Sequence, residues 1–129
     1  MAKNFYRMTA TARNHLKMAV RDTKRIWGGQ QAKKYAAEFL AGLQHIADNH
    51  QRLHSAHRCT LTQGTEFLIY LVQHRYVAYQ PFGQDCVIIT GIFHEKMNLS
   101  ARLKELQRIT RHEIDAVKRE IKGSKSTPH

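Results

Sequence analysis

The period of the apolar residues changes twice along this chain, and those changes constrain its fold more than any other feature. Ala12, Leu16, Ala19, Val20, Thr23 and Trp27 recur at spacings of three and four, as do Ala32, Tyr35, Ala36, Phe39, Leu43, Ile46 and Ala47. Each set is one face of a helix. Thr9 or Thr11 can cap the first by accepting a backbone N–H, and Gly28-Gly29 ends it, because glycine takes the backbone conformation a C-cap needs. Two helices joined by so short a turn pack as an antiparallel hairpin, with Trp27 expected to seat the end of the first against the second. Before them, Asn4 to Thr9 is short, aromatic and alternating, which suits a brief strand. Residues 48 to 64, rich in His, Arg and Gln, read as a polar connection.

From Phe67 the pattern becomes extended. Phe67 to Val72, Tyr76 to Tyr79 and Cys86 to Phe93 are β-branched and aromatic runs of strand length. The connections, Gln73-His74-Arg75 and Pro81 to Asp85, are too short for a parallel crossover, so a three-stranded antiparallel meander is predicted. After Asn98 the helical period returns through Leu99, Leu103, Leu106, Ile114, Val117 and Ile121. At about 100° per residue, all six fall within an arc of roughly 80°. A seam so narrow resembles that of a coiled coil, and it can rest on the sheet or on a partner helix.

The expected architecture is therefore α+β: a short N-terminal strand, a helical hairpin packed on a twisted antiparallel sheet, and a long C-terminal helix. A single domain over residues 1–96 is expected, followed by a helical extension over 97–122 and a flexible tail over 123–129. No window approaches the roughly 18 apolar residues of a membrane span, and the opening Met-Ala-Lys-Asn-Phe lacks the apolar core of a secretory signal. A cytoplasmic location without membrane contact follows as the expectation. Cys59 and Cys86 form no CxxC unit and read as structural thiols.

The charge asks for an acidic partner. With 21 Lys+Arg against 10 Asp+Glu the formal charge is +11. Residues 1–49 contribute +6, residues 50–96 +1 and residues 97–129 +4, so the two ends are basic and the middle is nearly neutral. Such an excess favours association with nucleic acid, an acidic protein or a nucleoprotein complex.

Tyr6-Arg7-Met8-Thr9 opening a helix, Trp27-Gly28 followed by Gln31-Ala32 and Tyr35, Arg75-Tyr76-Val77-Ala78-Tyr79, and Val87 to Met97 ending in His94-Glu95-Lys96-Met97 form an ordered set. Over residues 4 to 99 this set resembles the RelE/ParE superfamily of bacterial toxin–antitoxin toxins. The resemblance implies a cytosolic toxin neutralised by a cognate antitoxin that wraps over sheet and helices. Two target mechanisms exist within the superfamily: ParE-like members inhibit DNA gyrase, and RelE-like members cut messenger RNA on the ribosome.

RNA cleavage by 2′-hydroxyl attack needs a base, an acid and fixed cations around the phosphorus. His94, Lys96, Arg75 and Arg102 are the candidates for those roles. Against them, Phe67 to Val72 carries no basic residue and no Tyr follows Tyr79, where RelE-type nucleases tend to place such groups. The His94-to-Met97 ending looks more like the ParE branch, which implies obstruction of a topoisomerase without bond chemistry. On that reading Arg75, Tyr79, His94, Glu95, Lys96, Met97, Leu103 and Leu106 are contact residues for target or antitoxin. A member that only binds its partner and retains no toxicity is a third alternative.

His45, His50, His54 and His57, with Cys59 beyond, invite a metal hypothesis, because spacings of four and three bring side chains together on a helix. The surrounding Asn, Gln, Arg and Ser and the lack of a second cluster argue against it, and neither metal nor cofactor is expected. Direct DNA binding is disfavoured too: the cations are distributed around helices in the manner of solvated faces, and no recognition motif is visible. The terminal seam allows both a monomer and a dimer paired through that helix, and the extension is expected to modulate toxicity.

Overall fold

Thr9 ends one element and begins the next. Its amide donates to the Ile89 carbonyl at 3.0 Å, its Oγ1 accepts the Ala12 amide at 3.1 Å, and its hydroxyl donates to the Thr90 carbonyl at 3.3 Å. The side chain thus caps a helix and closes a strand pairing at one fully buried point. The computed structural model describes residues 4–56, 65, 67–94 and 98–126. In chain order the elements are β1 (Phe5–Met8), α1 (Ala10–Trp27), α2 (Gly29–Ala56), β2 (Leu68–Val72), β3 (Arg75–Pro81), β4 (Cys86–His94), α3 (Leu99–Ile109) and α4 (Arg111–Ser126).

The meander forms as the short connections require, with β2 antiparallel to β3 and β3 to β4. β1 adds to it in parallel along β4, pairing Phe5 with Cys86 through Met8 with Ile89. The sheet order is β1-β4-β3-β2, so β4 is an inner strand. Eight of its nine residues are buried, as a strand covered on both faces must be. The β2–β3 turn has positive φ at both Gln73 (50°) and His74 (64°), the conformation that matches the twist of a two-residue hairpin.

Each face of the sheet has its own helical cover. On one side α1 and α2 pack Ala12, Phe39, Leu43 and Ile46 against Leu68, Val72, Val77, Tyr79, Val87, Ile89 and Ile92. On the other, the seam Leu99, Leu103, Leu106, Ile114, Val117 and Ile121 packs against Phe67, Ile69, Ala78, Cys86, Ile88 and Phe93. The seam therefore rests on the sheet of its own chain.

Four local expectations are revised. Trp27 is 72% exposed and does not seat the hairpin; the junction is made by Gly28, whose amide donates to Lys24 and whose carbonyl accepts from Ala32. Residues 48 to 56 continue α2, because buried His50 and neighbouring Gln51 both donate to the Gln84 carbonyl, at 2.9 and 3.2 Å, and draw the helix onto the β3–β4 turn. The single C-terminal helix is two, divided at Thr110, whose hydroxyl turns back to the Leu106 carbonyl at 2.7 Å. The second of them runs to Ser126, past Gly123.

Candidate partner-binding surface

Arg75 opens β3 opposite His94 at the end of β4. Directly opposed residues share a face of an antiparallel pair, and Arg75 fixes which face it is: its Nε donates to the Tyr35 hydroxyl of α2 at 2.9 Å. Tyr35 packs beside Phe39 with ring centroids 5.8 Å apart. Together with Thr23, Trp27 and Gln31, Tyr35 lines a shallow cleft of about 440 Å³ at the free end of the hairpin. Next to it the β2–β3 turn is tied to α2 by Gln73, which donates to Glu38 at 2.8 Å. Half-buried Arg75 and Tyr35 and exposed Trp27 thus offer a cation, an aromatic hydroxyl and an indole in one region, a composition common at protein interfaces.

The other expected site residues lie elsewhere. Arg102 is on the outer side of α3, 4.0 Å from Glu105, in the layer across the sheet from Arg75. Tyr79, Leu103 and Leu106 are core residues with 0%, 0% and 2% exposure. Burial, with Tyr70 adding to it, pushes the Tyr79 hydroxyl up to about 12. Glu95, Lys96 and Met97 lie outside the described residues. Among the histidines, His45 stacks on Tyr70 at 5.8 Å and His50 is held by Gln84; the side chain of His54, and His57 and Cys59, lie outside the described residues. Among the described residues no three His, Cys, Asp or Glu come close enough to hold a metal ion.

A polar junction that the sequence does not announce joins α1, β4 and α4. Glu113 of α4 accepts the amide and the hydroxyl of Thr11, both at 2.8 Å. One turn along α1, His15 Nδ1 accepts the Ile92 amide at 3.0 Å, and its ring meets Phe93 edge-on at 5.3 Å. Burial pushes the His15 pKa below its usual value, with Glu113 acting in the opposite sense. The apolar period, read as one continuous helix, places Glu113 in a helix interior, and nothing in the spacing says that it serves a helix about one hundred residues earlier.

A sheet with one parallel edge strand, a two-helix hairpin over one face and helices closing the other is the frame on which this surface is built. A family model described as the ParE toxin of type II toxin-antitoxin system, parDE, matches residues 6–99, and the chain belongs to that family of toxins. Among curated proteins it is similar to Toxin ParE of Escherichia coli, with 28% identity over 104 residues, covering 78% of this chain and 93% of that protein. No helix among the described residues is long and apolar enough to cross a membrane.

Proposed function

We propose that the protein arrests growth by binding DNA gyrase and is held inactive in the cytosol by a cognate antitoxin. One observation favours binding over bond cleavage: Arg75 is engaged with Tyr35 on the hairpin side, whereas Arg102 sits on α3 over the opposite face. A nuclease built from His94, Lys96, Arg75 and Arg102 would need these cations around one phosphorus. The sheet face across from the hairpin is filled by the α3–α4 seam, which leaves it no room for an RNA strand.

On this reading the contact residues for target or antitoxin are Arg75 and His94, with Glu95, Lys96 and Met97 next in the sequence and the Trp27–Tyr35 cleft beside Arg75. The charge of +11 speeds encounter with an acidic antitoxin and makes it salt-dependent. Addition of the purified protein to gyrase and relaxed plasmid is expected to inhibit supercoiling, with Arg75→Ala weakening the inhibition about tenfold, the loss typical of an interface anchor. Translating ribosomes supplied with the protein should leave their transcripts intact. Unimpeded supercoiling together with site-specific transcript cleavage would reverse the assignment in favour of a ribosome-dependent nuclease, and neither effect would leave a partner-binding member without toxicity.

A further inference from the structure

The break at Thr110 gathers cations that the sequence pattern disperses. Lys104, Gln107 and Arg108 from the end of α3 and Arg111 and His112 from the start of α4 line an open cleft of about 520 Å³ at the elbow. Lys104, Arg108, Arg111 and His112 are all exposed. Among the described residues no carboxylate lines this cleft: Glu105 faces Arg102, Glu113 is turned to Thr11, and Asp115 borders a neighbouring groove with Arg111 and Lys118. The elbow also lies beyond the residues 6–99 that the toxin family accounts for.

We propose that the α3–α4 elbow is a binding site for the phosphate backbone of duplex DNA. Among the described residues every one that lines the cleft carries a hydrogen-bond donor and none is apolar; Ile109, though exposed, does not line it. A docked protein segment needs an apolar centre to bury, whereas a phosphate backbone needs only cations and donors. Each strand of duplex DNA presents one charge per about 3.4 Å of axis, so the rise of about 6 Å between Lys104 and Arg108 is on the scale of two neighbouring phosphates of a single strand. Arginine adds a planar fork that pairs with phosphate through two hydrogen bonds. Binding of this kind is sequence-independent, since contacts to phosphate carry no base information.

The test is fluorescence anisotropy of the full chain with a short labelled duplex of arbitrary sequence between about 50 and 200 mM salt. The triple variant Lys104→Gln, Arg108→Gln, Arg111→Gln is compared with Lys17→Gln, Arg21→Gln, Lys24→Gln, which removes the same charge from exposed positions of α1. The elbow variant should bind at least about tenfold more weakly and reduce the slope of log K against log salt by about 2 to 3, near one per lost cation. The α1 variant should change neither by more than its general charge effect. Equal losses in the two variants would show that binding follows net charge and would overturn the elbow site. Tighter elbow-dependent binding of single-stranded RNA, or of polyglutamate, would overturn the assignment to duplex DNA. Because gyrase and antitoxin are absent from the assay, its failure would leave the growth-arrest reading untouched.

Discussion

At Ile92 strand β4 has run past the end of β1, whose pairing stops at Met8 with Ile89, and His15 supplies the acceptor for the next outward amide. Nδ1 can accept only while it carries no proton, so the neutral ring belongs to the folded state. The folded pKa lies below 6.5 because burial outweighs the pull of Glu113. The unfolded chain therefore takes up this proton first as pH falls. Stability from His15 is complete above about 6.5 and is lost as pH drops towards the folded pKa. Between pH 7 and pH 5 the urea midpoint of the native chain should fall further than that of His15→Gln, whose amide oxygen can accept the same bond without titrating. Parallel falls in the two proteins would refute the assignment. Residue patterning alone does not reveal His15, which lies between stripe positions, nor the bulge at Thr90. There Ala78 pairs with Gly91 and Tyr79 with Ile89, so the face over α3 and α4 passes from Cys86 and Ile88 to Gly91 and Phe93. A one-residue offset of this kind reverses the alternation without any change in residue type.

The elements whose own apolar period specifies them are legible beforehand: the hairpin helices, the three meander strands and the terminal seam. Those that depend on a distant partner are not. Residues 48 to 56 have the composition of a loop, and they are helical because His50 and Gln51 reach Gln84. The candidate site divides the same way: Arg75 and His94, which stand at strand ends, share a face, whereas Tyr79, Leu103 and Leu106 belong to the core. Helix α1 offers a further case, since it has no acidic residue in its first turn, where a carboxylate would satisfy free amides and the helix dipole. Glu113 provides one from α4 through Thr11. Glu113→Ala should cost about 1 to 2 kcal/mol, the range for losing a helix cap or a charged hydrogen bond. A double-mutant cycle with Thr11→Ala, read from urea unfolding, should show coupling of about 0.5 kcal/mol or more. Strict additivity would mean that the hydroxyl bond contributes nothing across the layers, since the Thr11 amide still donates to Glu113 in Thr11→Ala.

At the scale of the whole molecule, the sheet is enclosed by two helical layers, and the C-terminal layer is structural whatever else it does. Its six seam residues are at most 8% exposed and cover Phe67, Ile69, Ala78, Cys86, Ile88 and Phe93. Burying a Leu, Ile or Val side chain contributes about 1.5 to 3 kcal/mol, and a whole domain is stable by only about 5 to 15 kcal/mol. Removal of six such side chains is therefore comparable with the total. A chain ended after Asn98 should bind a hydrophobic dye, lose its cooperative thermal transition and aggregate, as seen by dye fluorescence, calorimetry and light scattering. A loss of growth arrest on that truncation would then report an uncovered sheet, and the contribution of the extension to toxicity has to be read from exposed positions such as Lys104, Arg108 and Arg111 in the intact chain. If the truncated protein instead melts cooperatively near the temperature of the full chain, the α3–α4 layer is an appendage to a self-sufficient toxin domain, and its seam is free to serve another partner.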